Sequence, residues 1–220
     1  MRRFLANTLH FCEKYYLQIQ MESTDSKIIT SIKKRGRGTV FFADEYAHYS
    51  NPKRVQKAME QLVEKGLVVR VARGIYCYPK KDKVWNTGFL PPSYDGIANA
   101  IAKKEHAKIV PTGIHALNRL GLSEQVPMRL VYLTSGRSRT LQLTDGQTLQ
   151  FIHTPLKNLA FHNRTAMLVT FALKEIGKDN LTEEQKEHIL QLLKQEDPES
   201  LKRDLSLMPD WIQMIIQQAL

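Results

Sequence analysis

Residues 50–79 have the sequence SNPKRVQKAMEQLVEKGLVVRVARGIYCYP, which predicts a basic helix followed directly by a two-stranded hairpin. Ser50 or Asn51 can cap the helix by accepting a hydrogen bond from a free backbone N–H, and Pro52 suits the first helical position, where an N–H has no partner to lose. Gly66 can adopt the left-handed conformation that ends a helix. A helix followed by such a hairpin is typical of a winged helix-turn-helix domain.

The predicted helix has one apolar and one basic face. Its apolar residues recur at steps of three and four, the spacing of a buried helical face: Val55, Ala58, Met59, Leu62 and Val63. The opposite face carries Lys53, Arg54, Gln56, Lys57, Gln61 and Lys65. The predicted hairpin joins residues 67–72 to residues 75–78 through Arg73 and Gly74.

These two elements carry side chains that suit double-stranded DNA. Arginine and lysine bind phosphate or the acceptor edge of guanine, and glutamine can pair with adenine. We therefore predict DNA contacts from the helix through Lys53, Arg54, Gln56, Lys57 and Gln61, and from the hairpin, the wing, through Arg70 and Arg73. A solvated amphipathic helix also carries a basic face, but the cap, the glycine stop and the basic hairpin in this order favour DNA binding.

The charge of the chain supports a polyanionic partner. It has 32 lysines and arginines against 22 acidic residues, a formal net charge of +10. Residues 1–90 hold 17 basic and 8 acidic side chains, whereas residues 161–220 hold 7 and 10. The polyanion-binding surface is therefore expected in the first half.

Neither export nor a membrane anchor is expected. Polar residues interrupt the apolar stretch after Arg2 and Arg3 too early for a signal peptide, and no apolar run is long enough to cross a bilayer. Cys12 and Cys77 have no spacing typical of a zinc site or a disulfide framework, so we predict no metal, no cofactor and a reducing cytoplasm. Residues 1–20 are interpreted as a leader, either a loosely held helix or the product of a misassigned start codon.

The remaining domains are predicted from glycines and prolines that interrupt helices and strands and from the spacing of apolar residues. The winged-helix domain is predicted at residues 21–79, with a first helix ending near Gly36, a strand near residues 39–42 and a short helix at residues 43–49. Arg35 and Arg37 are candidate DNA contacts, as a flexible phosphate clamp; a solvated turn is the alternative. Residues 80–93 are predicted to be a linker, residues 94–160 a small α+β domain, and residues 161–220 a helical region packed on that domain or on a partner.

The central sequence blocks carry a resemblance to a known family. ARGIYCYP, then PTGIHALNRLGLSEQVP, then RLVYLTSGRSRTLQL and a strand ending in FIHTP resemble the AbiEi-like proteins, the antitoxins and winged-helix regulators of type IV toxin-antitoxin loci. The resemblance covers residues 24–175. It implies an N-terminal winged helix that binds promoter DNA and represses its own operon, with Arg54, Gln56 and Lys57 on the recognition helix and Arg70, Arg73 and Gly74 on the wing. It also implies a nucleotidyltransferase-like toxin that is countered without a stable complex.

The central block also has a structural interpretation. Gly113 and Gly121 bracket a short helix whose leucines can fill a core, which specifies a fold and no chemistry. Alternatively, basic residues of this region extend a nucleic-acid surface into the second domain: Arg119, Arg129, Arg137 and Arg139.

No enzyme is predicted. The sequence lacks a phosphate-binding loop, a nucleophile elbow, a zinc-protease motif and a nucleotidyltransferase motif. A nuclease using His153 or Asp145 with a metal is the weaker alternative.

The sequence therefore predicts an α+β protein: an N-terminal winged helix, a small α+β domain and a helical C-terminal tail. We expect a cytoplasmic autorepressing regulator and antitoxin that binds an inverted repeat upstream of its own gene as a homodimer. The alternative is a protein-interaction module with nonspecific nucleic-acid binding.

Overall fold

The computed structural model describes residues 25–81, 89–125 and 127–220. The chain combines helices with several sheets, as the predicted α+β class requires. It divides into two compact units, Met1–Ile97 and Ala98–Leu220. The division falls inside the helix Tyr94–Lys104, slightly beyond the predicted linker at residues 80–93. The predicted leader, residues 1–20, lies outside the described residues.

The N-terminal unit alternates helices and short strands. Helix α1 (25–34) precedes β1 (Val40–Phe42), a 3₁₀ helix (Ala43–Tyr46), α2 (Pro52–Glu64), β2 (Val69–Ala72) and β3 (Ile75–Cys77). The three strands form an antiparallel sheet in the order β1-β3-β2. The helix predicted at residues 43–49 is a 3₁₀ helix that ends at Tyr46, with the N–H of Ala47 bonded to the carbonyl oxygen of Asp44 at 3.1 Å. It is short because hydrogen bonds between residues three apart have poorer geometry than those of an α-helix.

One hydrophobic core joins the helices of this unit to its sheet. Ile28 and Ile32 of α1 are fully buried and pack in the same cluster as the apolar face of α2. Four of the five predicted apolar residues of α2 are buried, and Val63 is half-buried against the cluster. Phe41 meets the ring of Tyr46 edge-on at 5.7 Å between centroids. The 3.6-residue periodicity therefore identified the buried face of α2 correctly.

Cys77 is the last residue of β3. Its side chain is fully buried, and burial raises the pKa of its thiol to about 11. A thiol with so high a pKa is a poor nucleophile at neutral pH, so Cys77 acts as a small apolar residue.

The predicted linker is not irregular throughout. Strand β4 (Lys80–Lys81) pairs antiparallel with β5 (Phe89–Leu90). The guanidinium of Arg37 lies 4.6 Å from the ring centroid of Tyr78 and 5.8 Å from that of Phe89, which connects β5 to the loop after α1. The linker was predicted from local residue types, whereas the pairing of β4 with β5 depends on partners distant in the sequence.

A four-stranded sheet dominates the first half of the C-terminal unit. After α3 (Tyr94–Lys104), in which the division falls, the chain forms β6 (Ile109–Pro111), α4 (Ile114–Arg119), β7 (Arg129–Thr134), β8 (Arg139–Gln142) and β9 (Thr148–His153). The strand order is β6-β7-β9-β8. β7 and β9 are parallel, whereas the other two pairs are antiparallel. A hairpin turn at Asp145-Gly146 joins β8 to β9.

The second half of this unit is helical, as predicted. It contains α5 (Arg164–Ile176), α6 (Glu183–Leu193), α7 (Pro198–Asp204) and α8 (Asp210–Ile216). A capping box at Thr182 begins α6, with Gln185 as the reciprocal partner. These helices share one core with Ala116 of α4 and with Leu120, and Ile212 and Ile216 are fully buried in it. The apolar face of α8 is therefore a core face rather than an exposed interaction surface.

A buried carboxylate ties the start of α5 to the end of α7. Asp204 has no exposed side-chain surface, and it accepts hydrogen bonds from the backbone N–H groups of His162 at 2.9 Å and Asn163 at 2.7 Å. Asn163 in turn caps α5 by accepting a hydrogen bond from the N–H of Ala166.

Among the described residues, no helix combines the length and the apolar character needed to span a bilayer.

Candidate nucleic-acid interface

The first turn of α2 is held by a side-chain cap. The Oδ1 atom of Asn51 accepts a hydrogen bond from the backbone N–H of Arg54 at 2.9 Å, and Pro52 occupies the first helical position. Of the two caps predicted, Asn51 is therefore the one used. The cap fixes the backbone that carries Lys53 and Arg54.

Substituting Asn51 with alanine is expected to destabilise the N-terminal unit by about 1 kcal/mol, because a backbone N–H of the first turn loses its partner. Urea unfolding followed by circular dichroism measures this loss. Ser50→Ala removes the other candidate cap and should change stability by less than about 0.5 kcal/mol. An equal loss in both variants would contradict the assignment of the cap to Asn51.

The outward face of α2 is basic and accessible. Lys53, Arg54, Gln56 and Lys57 are exposed, and Gln61 is half-buried. Within the residues that the structure describes, the side chains of Lys53, Arg54 and Lys57 have no hydrogen-bond or ion-pair partner. Three positive charges on adjoining turns are therefore available to a polyanion.

Gln56 differs from its basic neighbours because its amide has a partner on the same helix. Its Nε2 donates a hydrogen bond to Oε1 of Glu60, one turn later, at 3.0 Å. Both side chains are exposed on α2.

The hairpin contributes two exposed arginines. Arg70 lies opposite Tyr76 in the β2–β3 pair, and the register shifts between Arg70 and Ala72. Burial raises the pKa of the Tyr76 hydroxyl, and the positive charge of Arg70 partly offsets this rise. Arg73 stands at the turn, where Gly74 has a φ of +74° and open space around it. A glycine suits this turn because L side chains rarely adopt such a φ.

A groove of about 340 Å³ lies between α2, the 3₁₀ helix and the hairpin. It brings together three predicted DNA contacts, Gln56 of α2 and Arg70 and Arg73 of the hairpin. Two acidic side chains that were not predicted as part of the site, Asp44 and Glu60, line the same groove. One signal in the sequence pointed to Glu60, which lies four residues after Gln56, a spacing at which side chains on a helix interact. The other lining residues are Ala43, Ala47, Pro52, Val55, Gly74 and Tyr76.

Arg35 and Arg37, predicted as a flexible phosphate clamp, have partners inside the N-terminal unit. Arg35 forms an ion pair with Glu45, and its guanidinium lies 5.5 Å from the ring centroid of Tyr46. Arg37 donates a hydrogen bond to the carbonyl oxygen of Pro79 at 2.9 Å, in addition to its contact with Tyr78. Both remain exposed, so contact with a phosphate stays a prediction for them, but each guanidinium is held by the fold.

Two arginines of the C-terminal unit differ from the cations of α2. Arg139 forms an ion pair with Glu105 at 2.8 Å, and Arg129 donates to Gln150 at 3.4 Å. Both arginines therefore have partners on their own unit, in contrast to Lys53, Arg54 and Lys57.

The residues of the alternative nuclease site have structural partners. His153 Nδ1 donates to the carbonyl oxygen of Gly136 at 2.8 Å, and Asp145 Oδ1 accepts from the backbone N–H of Gln147 at 3.0 Å. In the described part of the chain, no three histidine, cysteine or acidic side chains are grouped closely enough to hold a metal ion.

Comparison with known proteins identifies a family. A crystal structure of the RV2827C protein from Mycobacterium tuberculosis is similar, with 15% identity and a TM-score of 0.43, over 89% of this chain and 81% of that protein. No curated protein matches the chain. The model of a family of unknown function, DUF6088, matches residues 27–201. The chain therefore belongs to the DUF6088 family.

Proposed function

We propose that the N-terminal unit is a winged helix that binds double-stranded DNA, and that the protein is a transcriptional regulator. In this proposal α2 is the recognition helix and the β2–β3 hairpin is the wing. The sheet order β1-β3-β2 supports it. Strand β1, which precedes the 3₁₀ helix and α2, pairs with β3 of the hairpin that follows α2. The observation that carries the proposal is the exposed basic face of α2, whose three cations have no partner among the described residues.

The groove beside α2 has a place in this complex. The major groove of B-DNA, about 12 Å wide, admits one helix. When a helix lies there and a hairpin reaches the adjacent minor groove, the sugar–phosphate strand between the two DNA grooves passes between helix and hairpin. The groove of about 340 Å³ lies between those two elements, with Arg70 and Arg73 on the hairpin side. The two arginines suit a phosphate strand, and the carboxylates of Asp44 and Glu60 in the same groove oppose it.

The proposed roles divide the residues into two groups. Arg54 and Gln56 contact base edges, with Gln61 further along the helix, because arginine and glutamine make bidentate contacts with guanine and adenine. Lys53, Lys57, Arg70 and Arg73 contact phosphates, and Arg35 and Arg37 add flanking phosphate contacts. Two copies bound to an inverted repeat upstream of the gene would repress transcription in the cytoplasm. No catalytic activity is assigned.

A second function is proposed for the rest of the chain. The sequence blocks that resemble AbiEi-like proteins extend into the unit Ala98–Leu220, which has its own core. We propose that this unit carries an antitoxin activity that counters a nucleotidyltransferase-like toxin without a stable complex. Co-expression with the neighbouring toxin gene tests it: growth should be rescued by the full chain. A lack of rescue by well-expressed protein would contradict the antitoxin role and leave DNA binding untouched.

Fluorescence anisotropy across a salt series tests DNA binding. The probes are a duplex from upstream of the gene and a scrambled duplex of equal length. Binding to the first that survives near-physiological salt while binding to the second is lost would support an autoregulator. Equal, steeply salt-dependent binding to both would favour the alternative, a protein-interaction module with a nonspecific basic unit.

The Arg73→Ala substitution is expected to weaken all duplexes by a similar factor. Loss of one phosphate contact should lower the slope of log K against log salt by about 0.9, with no change in base preference. Arg203→Ala removes the same charge from an exposed position of α7 and should leave the slope unchanged. A change of base preference in Arg73→Ala would contradict a phosphate role.

A further inference from the structure

Glu60 is an acidic residue in the middle of the proposed DNA-binding surface. It is exposed on α2, lines the groove that faces Arg70 and Arg73, and accepts the hydrogen bond from Gln56 Nε2 at 3.0 Å. A negative charge at this place opposes the binding of a phosphate strand. The hydrogen bond to Gln56 gives Glu60 a role that offsets this loss of affinity.

The bond to Glu60 determines which way the Gln56 amide faces. A carboxylate only accepts hydrogen bonds, so the NH₂ group of Gln56 must point toward Glu60 and its carbonyl oxygen away from it. One N–H is used by Glu60, and the second N–H and the oxygen remain. One donor and one acceptor match the N7 acceptor and the N6 donor of adenine in the major groove.

We infer that Glu60 is a positioning residue that orients the Gln56 amide for adenine and weakens binding to all other duplexes. This inference rests on the proposed function and adds to it the contact that gives base specificity. Glu60 lowers nonspecific affinity because its charge lies beside the phosphate strand in the groove. It raises discrimination because a preorganised amide loses less freedom on binding than a mobile one.

The experiment uses the 220-residue chain and five variants in anisotropy titrations. The probes are the upstream duplex, a scrambled duplex, and upstream duplexes with each base pair changed at the position where Gln56→Ala loses discrimination. Glu60→Ala removes charge and acceptor, whereas Glu60→Gln removes the charge and keeps an acceptor oxygen. Glu64→Ala is the matched control, because Glu64 is exposed on the same helix, one turn later, and does not line the groove.

Glu60→Ala and Glu60→Gln should both bind the scrambled duplex more tightly, by about fivefold for one like-charge contact near 4 Å in water. Glu60→Ala should also lose discrimination at the adenine position by about fivefold, the lower end of what one bidentate contact provides. Glu60→Gln should keep that discrimination to within about twofold. In the Gln56→Ala background, Glu60→Ala should change discrimination no further, because the two residues act as one unit.

Two results would overturn the inference if the wild-type chain recognised its upstream duplex. One is that Glu60→Ala keeps full discrimination at the adenine position, and the other is that Glu64→Ala loses as much discrimination as Glu60→Ala. A wild-type chain that binds upstream and scrambled duplexes equally would instead overturn the proposed function, and the inference with it. Thermal unfolding of each variant shows whether α2 is intact, since a loss of discrimination through unfolding would also weaken the scrambled complex.

Discussion

Replacing Arg54 with alanine is expected to lower affinity for the upstream duplex by about 5-fold to 150-fold and to relax base preference at one position. The expected range corresponds to about 1 to 3 kcal/mol for one bidentate contact between a side chain and a base. Arg54 is suited to this role because Asn51 fixes its backbone and its guanidinium is exposed. A guanidinium can donate two hydrogen bonds at once to O6 and N7 of guanine.

Anisotropy titrations with single-base-pair variants of the duplex measure both effects of Arg54→Ala. The matched control is Lys65→Ala, which removes the same charge at the exposed C-terminal end of α2. We expect the control to lose less than Arg54→Ala and to keep its base preference. If Arg54→Ala weakened every duplex alike, Arg54 would be a phosphate contact, and the division between recognition helix and wing would be wrong.

Replacing Asp204 with alanine is expected to destabilise the C-terminal unit by about 3 to 5 kcal/mol. The carboxylate is fully buried, and its removal leaves the backbone N–H groups of His162 and Asn163 without their acceptor. Each buried unpaired group costs about 1 to 3 kcal/mol. The bond to the His162 ring contributes less, because that side chain is 60% exposed.

Urea unfolding followed by far-ultraviolet circular dichroism measures the effect of Asp204→Ala. Asp204→Asn keeps one acceptor oxygen and should lose clearly less stability. Glu199→Ala is the matched control on α7, where the carboxylate forms an exposed ion pair with Lys202 at 3.0 Å, and its loss should cost less than about 1 kcal/mol. Equal effects of Asp204→Ala and Glu199→Ala would show that the buried carboxylate does not join α5 to α7.

The candidate site was predictable in its parts. Helical periodicity placed Lys53, Arg54, Gln56 and Lys57 on one exposed face, and the turn signal at Arg73-Gly74 placed the hairpin directly after it. The hydrogen bond between Gln56 and Glu60 was not predicted, although a spacing of four residues on a helix allows it. The partners of Arg35 and Arg37 also come from distant segments, which composition does not reveal.

The sequence by itself determined the elements whose signals are local. Asn51 and Thr182 cap α2 and α6, because a cap needs only a side-chain oxygen within three residues of a free N–H. The α2 face, the hairpin β2–β3 and the four C-terminal helices α5 to α8 follow from such caps, from glycines and from apolar spacing. Their existence needed no knowledge of the partner against which they pack.

The tertiary structure alone decided which distant segments pair. β7 and β8 are consecutive strands, yet β9 lies between them and pairs parallel with β7. β4 and β5 pair across residues predicted to be a linker, and Gln56, Arg70 and Arg73 meet around one groove. The physical reason is that backbone hydrogen bonds and side-chain contacts between distant segments depend on which surfaces the whole core brings together. The local spacing of residues does not contain this information.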